Sequence, residues 1–110
     1  MSFGTVVSNR IDKITKVLSQ KEEEYAKSND RYHNFRVAGR ILNCSPERAL
    51  LGMLIKHFVS VVDIIDSLDN YDKPLVKELI DEKIGDSINY LILLEGMLLT
   101  RMETPEQCKD

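Results

Sequence analysis

Four carboxylates stand at spacings that can do chemistry. Asp63 and Asp66 lie three apart, and Glu82 and Asp86 lie four apart. Both pairs fall in segments whose apolar residues recur with a helical period, and residues three or four apart share a helical face. Carboxylates gathered from two facing helices make a hard oxygen site that suits Mg²⁺ or Mn²⁺. Magnesium in turn binds the phosphates of a nucleotide. On this reading Asp63, Asp66, Glu82 and Asp86 are metal ligands. The plainer alternative is that all four are surface acids on amphipathic helices.

Other polar residues fit the same theme. Lys56, Ser60 and Asp63 fall on one line of a helix. Lys56 can meet a phosphate as a point charge, and Ser60 can hydrogen-bond it. An intrahelical lysine–carboxylate contact is the competing reading. Glu82, Asp86 and Asn89 form a second polar stripe, within "DEKIGDSINYLILLEGMLL". The run Arg31, Tyr32, His33, Asn34 sets an aromatic beside groups able to stack on and hydrogen-bond a base, or else it is a turn with a hydrophobic plug. His57 falls on an apolar side, where a histidine satisfied by a neighbour is the simpler reading. Glu95 also lies on an apolar side and needs a partner such as Arg101 if it is buried.

These residues have to be positioned by helices, because the pattern is helical nearly throughout. In a first helix, from about Thr5 to Lys27, Val7, Ile11, Ile14, Leu18 and Tyr25 draw one apolar seam; "KEEEYAK" is its solvated end. Asn29 and Asp30 can break or cap, and Phe35, Ala38, Ile41 and Leu42 form one face of a short helix. Ser45, Pro46 and Glu47 make an explicit helix start: an N-cap, a proline at the first position and an acid at the positive end of the dipole. This second long helix is expected to reach about Leu68. Its apolar residues cover most of its circumference and leave only Lys56, Ser60, Asp63 and Ser67 polar, so it should be central, with that stripe either reaching solvent through a gap or facing another polar stripe, such as Glu82, Asp86 and Asn89. "DNYDKP" turns the chain. A third long helix, capped by Asp72 with Pro74 in its first turn, reaches about Met102 and spans roughly 40 Å. "TPEQCKD" is a frayed tail. The expected fold is all-α: a single domain over residues 1–110, an antiparallel bundle of three long helices and a short one. A chain of 110 residues builds only a small core, so the bundle should be completed as a homo-oligomer, a dimer or a tetramer.

Bulk composition narrows the partners. A net charge of −3 argues against a surface that grips duplex nucleic acid. Cys44 and Cys108 give neither a disulfide framework nor a zinc spacing, and read as reduced thiols of a cytoplasmic protein. The longest apolar run, "YLILLEGMLL", is interrupted by Glu95 and too short to span a bilayer. The opening "MSFGTVVSNRIDK" has no signal-peptide pattern.

"EKIGDSINYLILL" resembles the second acidic motif of the MazG-like all-α nucleotide pyrophosphohydrolases, roughly E-E-L-G-D followed by an apolar helix. That family holds magnesium with an E-x-x-E pair on one helix and an E-x-x-D pair on a later one. The metal polarises a nucleoside triphosphate for attack by water between the α and β phosphorus. "DIID", residues 63–66, takes the first pair's place, with fifteen residues between Asp66 and Glu82. The resemblance implies that Glu82 and Asp86 are catalytic, that the cofactor is Mg²⁺ or Mn²⁺ and that the product is a monophosphate plus pyrophosphate. Two departures stand out. The first pair is Asp–Asp, with shorter reach, and Lys83 stands where the family has a glutamate. Residues 20–100 also resemble small helical proteins of phages and Gram-positive prophages, through "HNF", "SPERALLGMLIKHFVSVVDII" and "EKIGDSINYLILLEG"; a phage-encoded chain would work in the host cytoplasm. Lys83 leaves a second function open. Lys56, Ser60, Lys83, Asn89 and the segment from Arg31 to Asn34 suit a nucleotide that is bound and not hydrolysed, as in a phage protein that sequesters a cyclic or modified nucleotide used in host defence. A third is a protein inhibitor working through its acidic surface.

Overall fold

In the computed structural model, residues 1–26, 30–71 and 73–103 are described, the side chains of 20–26 and 71 excepted. Four helices follow one another: α1 (Phe3–Ala26), α2 (His33–Leu42), α3 (Pro46–Tyr71) and α4 (Lys77–Glu103). Among the described residues there is no strand, and the all-α expectation holds. No helix of the described residues is long and apolar enough to cross a membrane.

Local chemistry sets the boundaries. Ser2 Oγ accepts the Thr5 N–H at 3.1 Å and starts α1. Asp30 accepts the Tyr32 N–H at 3.1 Å, a turn that leads into α2. Asn43 ends α2 in the left-handed conformation, at φ 56°, which asparagine tolerates better than most residues. Its successor Cys44 donates its backbone N–H to Gly39 at 2.8 Å. Gly39 allows that closure: a Cβ there would stand 2.7 Å from the Cys44 carbonyl oxygen. Ser45 Oγ then accepts the Arg48 N–H at 3.1 Å, the N-cap its sequence announces.

The start of α4 differs from expectation. Lys73–Val76 is not helical, and the helix begins at Lys77, so Pro74 lies before its first turn. Proline disfavours the helical region for the residue before it, and the first helical bond runs from the Ile80 N–H to the Val76 carbonyl, at 3.1 Å. Asp72, Asn29, the "KEEEYAK" end and the "TPEQCKD" tail with Cys108 lie outside the residues or side chains described. Cys44 is a half-buried free thiol.

α3 packs on α2 and on α4; among the described residues α1 packs on α4 alone. Phe35, Leu50, Leu54 and Met97 are the buried centre, with Tyr32, Met53, Tyr90, Leu93 and Leu94 packed round them. Gly96 admits Tyr32, whose hydroxyl lies where a Cβ would go. α1 is held to the start of α4 by Asp81, which takes Lys13 Nζ at 2.7 Å and Arg10 Nη2 at 3.5 Å. The core is small, and the radius of gyration, 16.6 Å, exceeds the ~13 Å of a compact chain near this length. α3 is therefore less enclosed than its composition suggests. Only one side of it is covered, and Ile55, Val59 and Val62 on the other are half exposed.

Candidate functional site

α3's polar stripe does meet a group from α4, but not the acidic one. Ser60, Asp63 and Ser67 line a cleft of about 330 Å³ together with Lys73, Lys83 and the apolar Ile64, Pro74, Leu75, Val76 and Leu79. The extended Lys73–Val76 segment forms one wall, so the proline that delays α4 also shapes the cleft. Ser60 donates its hydroxyl hydrogen to the Lys56 carbonyl at 3.2 Å. Lys83 Nζ stands 3.4 Å from Glu82 Oε1, and its side chain is three-quarters buried. Lys56 is exposed and does not line this cleft.

A second cleft, of about 340 Å³, shares Leu75 and is lined by Arg10, Lys13, Lys77 and Asp81 among others. Lys77 Nζ joins Lys13 on Asp81, at 2.7 Å. The hydrogen bonds from Lys13 first and Lys77 second hold the Asp81 carboxyl down to about 2, against burial, which raises it. Among the described residues that line the two clefts, five cationic side chains stand against two carboxylates. In a chain of net charge −3 this is a local reversal of sign, and it favours an anion.

The four candidate carboxylates are not brought together. Asp63 lines the first cleft, whereas Asp66 is exposed and outside it; at 100° per residue the two point about 60° apart. Glu82 is exposed beside Lys83. Asp86 sits 3.7 Å from His57 Nδ1. Among the described residues no three of His, Cys, Asp or Glu are grouped so as to hold a metal ion. The residues of one chain therefore do not fit the magnesium site that the family resemblance implies.

Asn89 ends that stripe with its Oδ1 buried and without a hydrogen-bond partner. His57 is half-buried and tilted over Tyr90, ring centroids 4.8 Å apart, and Tyr90 meets Phe35 edge-on at 6.0 Å. His57 is thus a packed histidine with a carboxylate neighbour. Glu95 is exposed; Arg101 instead donates Nε to both Glu47 oxygens, at 2.6 and 2.9 Å.

The Arg31–Asn34 run divides. Tyr32 turns inward to the core, while Arg31, His33 and Asn34 are exposed and line neither basic cleft. His33 and Arg36 both face Asp30, and the Arg36 hydrogen bond holds the Asp30 carboxyl below its ordinary range. Sequence reasoning missed Lys73 and Asp81, and it placed Ser67 on the polar stripe without giving it a role at the site. Ser67 was legible as the next member of the Lys56–Ser60–Asp63 stripe. Lys73 and Asp81 depend on where the α3–α4 connection runs, which spacing alone does not give. A third cleft, of about 790 Å³, lies at the start of α3 and carries Arg36, Arg40 and Arg101; the first and last are matched by Asp30 and Glu47.

No family model, curated protein or solved structure matches the chain.

Proposed function

We propose that this chain is a nucleotide-binding helical protein of MazG-like type, acting in the cytoplasm as a homo-oligomer, and that it holds the phosphates of its ligand in the cleft between α3 and the Lys73–Lys83 stretch. The observation that carries this reading is the reversal of charge: Lys73 and Lys83 line a cleft with Ser60 and Ser67, and among the described residues the one carboxylate lining it is Asp63. Lysines supply point charges to phosphate oxygens, and serine hydroxyls supply donors. Leu75, Val76 and Leu79 give the cleft an apolar wall, suited to the face of a base or sugar.

Binding without turnover has more support than hydrolysis. Hydrolysis by the MazG-like route needs Asp63, Asp66, Glu82 and Asp86 on one metal, and within a chain they are apart. Magnesium carried in by nucleotide phosphates would find one carboxylate at the cleft, Asp63, which is a usual way for that ion to bind.

The deciding experiment is a calorimetric titration of the full chain with a panel of linear and cyclic nucleotides, with and without Mg²⁺, each mixture then assayed for pyrophosphate. Saturable binding of an unaltered nucleotide, weakened about tenfold or more by Lys83→Ala, is the expected result. Release of pyrophosphate only with metal would replace sequestration by hydrolysis. No heat with any nucleotide would leave the protein-inhibitor reading.

A further inference from the structure

The outer side of α3 carries a regular pattern that none of the described residues covers. Leu51, Ile55, Phe58, Val62 and Ile65 follow one another at spacings of four, three, four and three. This is the seam of a coiled coil, and it lies on the side of α3 away from the buried Leu50 and Leu54. Four of the five residues are exposed, Ile55 and Val62 at 50% and 51%. The same spacing continues to Arg48 at one end and Asp69 at the other. Both are exposed, and neither has an ion-pair partner among the described residues. Beside the seam is Gly52, mid-helix and exposed, where an added Cβ would meet nothing within 4 Å. Glycine in a helix interior is unfavourable, and none of the described residues comes close enough to require it here.

We infer that a second copy of this chain covers this seam, with its own α3 running antiparallel and crossing near Phe58. The end charges fix the direction. In a parallel pair Arg48 would meet Arg48 and Asp69 would meet Asp69. In an antiparallel pair about Phe58, Leu51 faces Ile65, Ile55 faces Val62, and each Arg48 reaches the acidic end of the other helix. The pattern is its own complement under a two-fold axis, which is what an isologous dimer needs. Half-exposed side chains of this size leave roughly 400 Å² of apolar surface per copy, so the seam alone supplies roughly 800 Å² in a pair, and its polar rim supplies the rest of the ~1,200 Å² at which stable interfaces begin. The inference rests on the homo-oligomer part of the proposed function and not on the nucleotide part, because mass and nucleotide heat are separate readouts.

Sedimentation velocity of the full chain at micromolar concentration tests it. Wild type should run at twice 12.6 kDa or a higher even multiple. Val62→Glu, exposed in the protomer, should at least halve that mass while the far-ultraviolet helical signal is kept. Arg48→Asp should raise the dissociation constant roughly tenfold, because the two-fold axis loses two pairs at once, and Arg48→Asp with Asp69→Arg should restore it. A wild-type mass of one chain, a mass unchanged by Val62→Glu, or a charge swap without recovery would each overturn the inference.

Discussion

α3 presents two faces of nearly the same chemistry with opposite fates. Leu50 and Leu54 on one side are 0% and 1% exposed; Ile55 and Val62 on the other are about half exposed. The inner face is covered by α2 and α4, and the outer by none of the described residues. The lesson is that apolar residue type reports a demand for burial and not its source. The inner face meets that demand in folding, and the outer face is left for association. The two faces should therefore respond differently to the same truncation.

The largest effect is expected on the inner face. Leu54→Ala should cost about 2–5 kcal/mol in urea unfolding, since it removes a fully buried side chain and leaves a cavity. A loss below about 1 kcal/mol would erase the contrast. Next come the two glycines that mirror the two faces. Gly96→Ala puts a methyl where the Tyr32 hydroxyl lies and should destabilise by about 1–3 kcal/mol through overpacking. Gly52→Ala has open space; in a Val62→Glu background it should stabilise by about 0.5–1 kcal/mol through helix propensity. If both glycines behave alike, the distinction between a packed and an unpartnered face fails. Smaller still, Val62→Ala in the separated protomer should change stability by less than about 0.5 kcal/mol, as exposed substitutions do.

The smallest effect is electrostatic and concerns the docking of α1. The Asp81 carboxyl is depressed to about 2 by Lys13 and Lys77, below the ~3.9 of an unfolded aspartate. Its contribution is present in full above about pH 4 and is lost as pH falls through about 2. The fall in urea midpoint between about pH 4.5 and pH 2.5 should therefore be shallower in Asp81→Asn than in wild type. Equal slopes would mean that Asp81 is not what ties α1 to α4.

The fold was legible where the signal was local. The Ser45–Pro46–Glu47 start of α3 acts as its residue types require, and the short α2 forms where expected and buries Phe35, whereas Ile41 and Leu42 of the expected face are exposed. The start of α4 was misjudged because Pro74 is compatible with a first helical turn and equally with an extended lead-in. Three-dimensional detail decides that. The candidate site was half legible. Ser60, Asp63 and Lys83 share a cleft, as a polar stripe on a mostly apolar helix suggested. The convergence of Glu82 and Asp86 with Asp63 and Asp66 did not follow, because spacing along each helix says nothing of the rotation of one helix against the next. A turn of one residue brings Lys83, and not Glu82, to face α3.

That α1, among the described residues, packs only on α4 has a kinetic consequence. The α3–α4 hairpin can close from its short connection outward, with α2 folded back on α3. α1 has to wait for α4 to exist before it has anything to dock on. It should then be the last element to fold and the first to open, its amides exchanging with deuterium as one block ahead of those of α3 and α4.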